Sequence, residues 1–163
     1  SFSVVYGLDT VSLRYFNVFG PRQDPNSPYA AVIPRFMEAL SSGQAPVIYG
    51  DGSQSRDFTY VENVCAINWL AATAADRLNG DVFNVGCGRS YSLLDLLEKL
   101  ARVMGKGPVT PSFEAPRPGD VLHSLADIGH ARCRLGYDPH PDFESELGRT
   151  CEWFVGARDG NGS

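Results

Sequence analysis

"DVFNVGCGRSYSLLDLLEKLARVMG", Asp81 to Gly105, decides the fold class. Asp81 to Gly86 has the pattern of a short strand. A polar turn follows, and then Ser92 with Asp95 three positions later opens a helix in the manner of a capping box. Leu93, Leu94, Leu97, Leu100, Ala101 and Met104 make the apolar stripe expected of that helix, and Gly105 is its stop. A strand, a turn and an amphipathic helix in 25 residues argue for an α/β protein.

Working outward, the same alternation recurs. "TVSLRYF" places Val11, Leu13 and Tyr15 on one face of a strand, and "PVIYG" reads as a short buried strand. Helical spacing is expected from Ala30 to Leu40, from Val61 to Ala75 with Val64, Ile67 and Ala71 on one side, and from Phe143 with Leu147, Cys151 and Phe154 aligned. The opening "SFSVVYGLDT" reads as the last turns of a helix ending at Gly7, which suggests a chain cut from something longer. "GKGPVTPSFEAPRPGD" is rich in Pro and Gly, with one extended segment near Val109 to Phe113. "ARDGNGS", 157–163, reads as a disordered tail.

Composition narrows the function. The chain has 163 residues, is 43% hydrophobic and 20% charged, and carries a net charge of −5. That length supports one sizeable core. The acidic balance argues against a broad nucleic-acid or anionic-membrane surface, so an anionic ligand would have to be held locally. Of the fourteen basic residues only Lys99 and Lys106 are lysines, which leaves arginine forks as the available phosphate clamps. Cys65, Cys87, Cys133 and Cys151 show no C-x-x-C spacing, Cys65 and Cys151 fall on apolar helical faces, and all four are expected to be reduced packing residues. There is no run long enough to cross a bilayer and no leader pattern at the start, so a soluble cytoplasmic protein is expected.

Three polar clusters interrupt the scaffold where apolar runs end: Asn17 to Gln23, Asp51 to Arg56, and Arg117 to Asp120. Each alone has an ordinary explanation. Asn17 to Pro21 could be a turn, Arg56 could pair with Asp57 on the surface, and Arg117 could be a solvated loop charge. Together they offer two arginines and an asparagine for a diphosphate and a carboxylate, Asp120, for ribose hydroxyls. His123, His130 and His140 have no acidic or Cys partner at ligand spacing, and no metal site is expected.

The stretches "LRYFNVFGPRQDPNSPYAAVIPRF", "GDGSQSRDFTYVENV", "FNVGCGRSYSLLDLLEKL" and "PRPGDVLHS" resemble the carboxyl-terminal half of the extended short-chain dehydrogenases that act on nucleotide sugars. UDP-glucose and UDP-N-acetylglucosamine 4-epimerases are the nearest in pattern; dehydratases and UDP-glucuronate decarboxylases share much of this half. The resemblance implies residues 1–25 as the trailing end of a truncated NAD(P)-binding Rossmann-like domain. It implies 26–156 as a smaller, mixed α/β nucleotide-sugar-binding part. Tyr15 and Phe16 would lie beside the nicotinamide of NAD. Asn17 would hydrogen-bond the phosphates, Ala31 and Val32 would meet the uracil edge with Arg35 near it, and Tyr49 would line the base. Arg56 and Arg117 would clamp the pyrophosphate, Asp120 would hold the ribose, and Ser124 would border the sugar. The implied partners are a UDP-sugar and, for the complete protein, a second copy in a homodimer.

The chemistry also needs a Tyr-x-x-x-Lys pair and a glycine-rich dinucleotide loop, and neither is in this sequence. Asp95 stands four before Lys99 and Arg102 four before Lys106; "GCGRSY" and "GDGSQS" lack the third glycine. No catalytic residue is therefore assigned here, and the chain alone is expected to be inactive. A nucleotide-sugar-binding module without turnover is the alternative; a glycine fingerprint and a Tyr-x-x-x-Lys pair upstream would exclude it.

Overall fold

The computed structural model describes residues 2–24, 32–139 and 142–160, with side chains to Ala157. In chain order the elements are α1 (Phe2–Tyr6), β1 (Val11–Tyr15), β2 (Val18–Phe19), α2 (Val32–Ser42), β3 (Val47–Tyr49), β4 (Ser55–Arg56), β5 (Thr59–Tyr60), α3 (Val61–Ala72), β6 (Asp81–Val85), β7 (Tyr91–Ser92), α4 (Leu93–Val103), β8 (Ser112–Glu114), α5 (Gly129–Leu135) and α6 (Phe143–Gly160). They form two compact units. One comprises Ser1–Val18, Asp57–Arg89 and Leu125–Pro141; the other comprises Phe19–Arg56, Ser90–Ser124 and Asp142–Ser163. The segments interleave, where the sequence suggests consecutive parts meeting at residue 25.

The first unit is built on a parallel pair, β1 with β6, in the register Val11↔Asp81 to Tyr15↔Val85. Parallel strands need a covered face. Phe83 and Val85 supply it, fully buried with Ile67 of α3, Ala131 and Leu135 of α5, and Tyr137. Val11 and Leu13 pack against this cluster as expected, but Tyr15, expected on the same face, is half-exposed, and Phe16 just past the strand packs there instead. The outer surface of α3 is different: Cys65 is exposed and Trp69 is 71% exposed. The expectation that Cys65 and Cys133 pack is corrected, because the inward face of α3 carries Asn63 and Ile67 and that of α5 carries Ala131 and Leu135.

The second unit packs three helices against a second parallel pair, β3 with β8, in the register Val47↔Ser112 to Tyr49↔Glu114. Its core takes Ile33, Phe36, Met37 and Leu40 from α2, Ile48 from β3, Leu96, Leu97 and Leu100 from α4, and Phe143, Leu147, Cys151 and Phe154 from α6. Only Ile48 of β3 is fully buried; Val47 is exposed, so this strand is half-buried. On α4 the capping box forms as read: Ser92 Oγ accepts from the Asp95 N–H and the Asp95 carboxylate accepts from the Ser92 N–H. The helix stops at Gly105, φ +65°, with the Lys106 N–H on Ala101 O and the Gly105 N–H on Arg102 O. The buried stripe is Leu96, Leu97, Leu100 and Ala101, with Leu94 exposed, so the inward face is rotated from the expected one. α6 continues to Gly160, into the stretch expected to be a tail.

No helix among the described residues is long and apolar enough to cross a membrane. The described residues hold no group of three or more His, Cys, Asp or Glu placed to bind a metal. His130 sits between Asp81, 2.9 Å away, and the Phe83 ring, on which it stacks. His140 lies outside the described residues.

Candidate nucleotide-binding site

The site in the second unit starts from a turn. In Arg117-Pro118-Gly119-Asp120 the Asp120 N–H donates to Arg117 O at 3.2 Å, and Gly119 has φ +80°. Proline second and a positive-φ glycine third are the requirements of a type II turn. A Cβ on Gly119 would meet no neighbour, so only the backbone conformation demands glycine there. The turn presents the side chains of Arg117 and Asp120 from its two ends.

A second set of contacts carries this loop to Arg56. The Ser55 N–H donates to Leu122 O at 2.8 Å, the Ser124 N–H donates to Ser55 O at 3.0 Å, and the Ser55 hydroxyl meets His123 Nδ1 at 3.0 Å. Arg56 Nη2 then reaches Asp120 Oδ1 at 2.5 Å. Its Nη1 donates to Ser55 O at 2.9 Å and to Leu122 O at 3.4 Å. The guanidinium is 15% exposed and the Asp120 side chain 37%, so the pair is partly shielded from water. Arg56 pairs with Asp120 and not with the adjacent Asp57.

Arg117 lies over the Tyr49 ring, its guanidinium carbon 3.8 Å from the ring centre. Tyr49 is itself held from behind, its carbonyl accepting from the Gln54 amide. Tyr49, Gln54, Phe113, Glu114, Arg117 and Asp120 line one cavity of about 750 Å³. That volume lies within the range of small-ligand sites. Asp51, also on its wall, accepts from the hydroxyl and the N–H of Ser53, and these bonds hold its carboxyl below the ordinary value.

The remaining expected residues fall as follows. Val32 opens α2 and Arg35 is exposed on that helix; Ala31 lies outside the described residues. Ser124 is half-buried and held by its backbone. Neither Arg35 nor Ser124 lines the cavity. Asn17, Tyr15 and Phe16 belong to the first unit. Asn17 has φ +24°, an uncommon value for a residue with a Cβ, and its Nδ2 donates to Asp57 O at 3.1 Å. Tyr15 ends β1 half-exposed, its hydroxyl paired with Asn68, while Phe16 turns toward the core.

Asp57 is a feature that the sequence pattern hides. Its carboxylate is fully buried in the first unit and accepts three backbone N–H groups, from Cys87 at 2.8 Å, Gly88 at 3.0 Å and Ala126 at 3.1 Å. Burial pushes the carboxyl above its ordinary value, against the pull of these donors. Gly86 makes room for it: a Cβ there would stand 2.5 Å from Ala126 Cβ and 2.7 Å from Asp57 Oδ2.

Comparison with known proteins gives this arrangement a context. UDP-glucose 4-epimerase of Mycolicibacterium smegmatis is 36% identical over 150 residues, which are 92% of this chain and 47% of that protein. UDP-N-acetyl-alpha-D-glucosaminuronate decarboxylase of Bacillus cytotoxicus is 31% identical over 91% of the chain and 47% of its own length. Among solved structures, the UDP-N-acetylglucosamine 4-epimerase of Methanobrevibacter ruminantium M1, in complex with UDP-N-acetylmuramic acid, superposes with a TM-score of 0.88 at 46% identity. The match covers 96% of this chain and 49% of that one. The chain thus spans about half the length of the relatives it matches. The family model for NAD dependent epimerases and dehydratases matches residues 1–86, more than half of the 163. With its parallel strands and Rossmann-like neighbours, the chain belongs to the NAD dependent epimerase/dehydratase family.

Proposed function

We propose that this chain is the substrate-binding half of an NAD-dependent nucleotide-sugar 4-epimerase that interconverts UDP-hexoses, UDP-glucose and UDP-galactose and their N-acetylated forms, through a 4-keto intermediate. The observation that carries the reading is the cavity in the second unit, with the Arg56–Asp120 pair and the Arg117–Tyr49 stack built around it. Its wall supplies the Arg117 guanidinium for a diphosphate, with Arg56 behind Asp120, a carboxylate for a ribose, and the Arg117–Tyr49 stack beside which a base could lie. The epimerases with which the chain aligns favour the same class.

NAD, when bound, would accept and return the hydride at the sugar C4. Tyr15 fits the edge of its site: it ends a parallel strand, where ligands of α/β sheets gather, and its ring is 46% exposed. The rest of the work is anchoring. Arg56, Arg117 and Asp120 of the second unit would hold the nucleotide end, which leaves the sugar free to turn and present its other face without leaving the enzyme. The base that removes the 4-hydroxyl proton is not among these residues, since the chain has no Tyr-x-x-x-Lys. The whole protein is expected to act as a homodimer in the cytoplasm.

A decarboxylase is the second reading, favoured by the 31% identical relative. It would use the same nucleotide anchor and differ at the sugar. Calorimetric titration with UDP tests the anchor: Arg56→Ala should lose about 2–4 kcal/mol of affinity, and Arg56→Lys should recover little. Unchanged UDP binding in Arg56→Ala would return the arginine to a structural role. Product analysis with UDP-glucose and UDP-glucuronate on the complete enzyme separates the two reactions.

A further inference from the structure

The cavity carries more negative than positive charge. Asp51, Glu114 and Asp120 stand on its wall against Arg117 alone, and counting Arg56 behind Asp120 still leaves three carboxylates against two guanidiniums. A site for a free inorganic anion would have the opposite balance. The cation best placed for a phosphate is also already engaged. Arg56 spends both Nη1 hydrogens on the carbonyls of Ser55 and Leu122 and gives Nη2 to Asp120 at 2.5 Å, so three of its five donors are used and its charge is matched. The type II turn at Gly119 sets the backbone from which the Asp120 carboxylate reaches Arg56.

We propose that Asp120 is a selectivity residue: by matching the charge of Arg56 it makes the site reject phosphate and diphosphate ions that bring no hydroxyl donors, and admit a diphosphate carried on a ribose. This rests on the nucleotide reading and extends it to what the site excludes. An inorganic anion approaching Arg56 meets the Asp120 carboxylate at close range and offers it nothing. A nucleoside diphosphate brings ribose hydroxyls, which donate to Asp120 and offset that repulsion.

The test is calorimetric titration of the chain, and of its Asp120→Asn and Asp120→Ala variants, with inorganic pyrophosphate and separately with UDP. The turn is exposed, so both variants should fold. Removing the carboxylate should raise pyrophosphate affinity by about tenfold and leave UDP affinity equal or lower, which narrows the preference for UDP by at least about tenfold. In an Arg56→Ala background the same change should no longer help pyrophosphate, because the guarded cation is gone. Pyrophosphate affinity that stays the same or falls in both variants overturns the proposal. A wild-type chain that takes no UDP would sink the nucleotide reading, and the pyrophosphate titrations would still decide whether Asp120 masks Arg56.

Discussion

Arg56 and Asp57 are neighbours in sequence that belong to different units and live in opposite surroundings. Around Asp57 a buried carboxylate is held by three backbone N–H groups. Around Arg56 a partly exposed guanidinium meets a carboxylate on a surface turn. The first arrangement cannot exchange its partners for water or a ligand without opening the unit. The second can, because both of its members reach solvent. Buried charge tied to the main chain serves the architecture, and half-exposed charge tied to another side chain is available for binding.

The largest expected effect tests the buried side of this contrast. Asp57→Ala leaves three N–H groups without acceptors and should cost about 3–5 kcal/mol in urea unfolding. A loss below about 1 kcal/mol would mean that water replaces the carboxylate, and the contrast would fail. Gly86→Ala attacks the same clasp by volume and should cost about 1–3 kcal/mol, since the added methyl must push either Ala126 or Asp57 aside.

Titration offers a third test, smaller and of a stated sign. The Asp57 carboxyl is raised in the folded state, mainly by burial, so the fold retains its proton to a higher pH than the unfolded chain does. Its contribution is complete below about 3.8, the ordinary value, and is lost as pH rises through the folded value. Asp81 behaves oppositely. The hydrogen bond from His130 lowers it, so its contribution is present above 3.8 and disappears as pH falls through the folded value. Stability measured against pH for Asp57→Asn and Asp81→Asn should show changes of slope with opposite sign; equal signs would refute the assignment. The smallest effect belongs to the exposed pair: Asp120→Asn should change unfolding stability by no more than about 0.5 kcal/mol. A large loss there would make Asp120 architectural as well.

What could be read from the sequence divides along a similar line. The capping box of α4, its glycine stop and the aligned Leu147, Cys151 and Phe154 of α6 depend on residues a few positions apart, and they are found as expected. α5, seven residues long, escapes notice because Ile128 at its N-cap offers no side-chain bond and the helix is too short for a periodic stripe. The two-residue strands β4 and β7 exist only because distant segments pair. At the candidate site, "SRDF" and "RPGD" draw attention through residue type, but the 64-residue separation of Arg56 from Asp120 hides their pairing. Asp57, adjacent to an arginine, reads as half of a surface ion pair. Only the fold reveals that its partners are main-chain amides.

The register of β1 on β6 has a consequence for how the molecule comes into being. Val11 pairs with Asp81, 70 residues later, and no described strand closer in sequence pairs with β1. During synthesis β1 leaves the ribosome well before β6 exists, so the edge that takes β6 waits until Val85 has followed. Closing so long a loop is slow compared with forming α4, whose contacts are local. Among the described strands β1 thus gains its partner late, and until then this edge is open to wrong pairing.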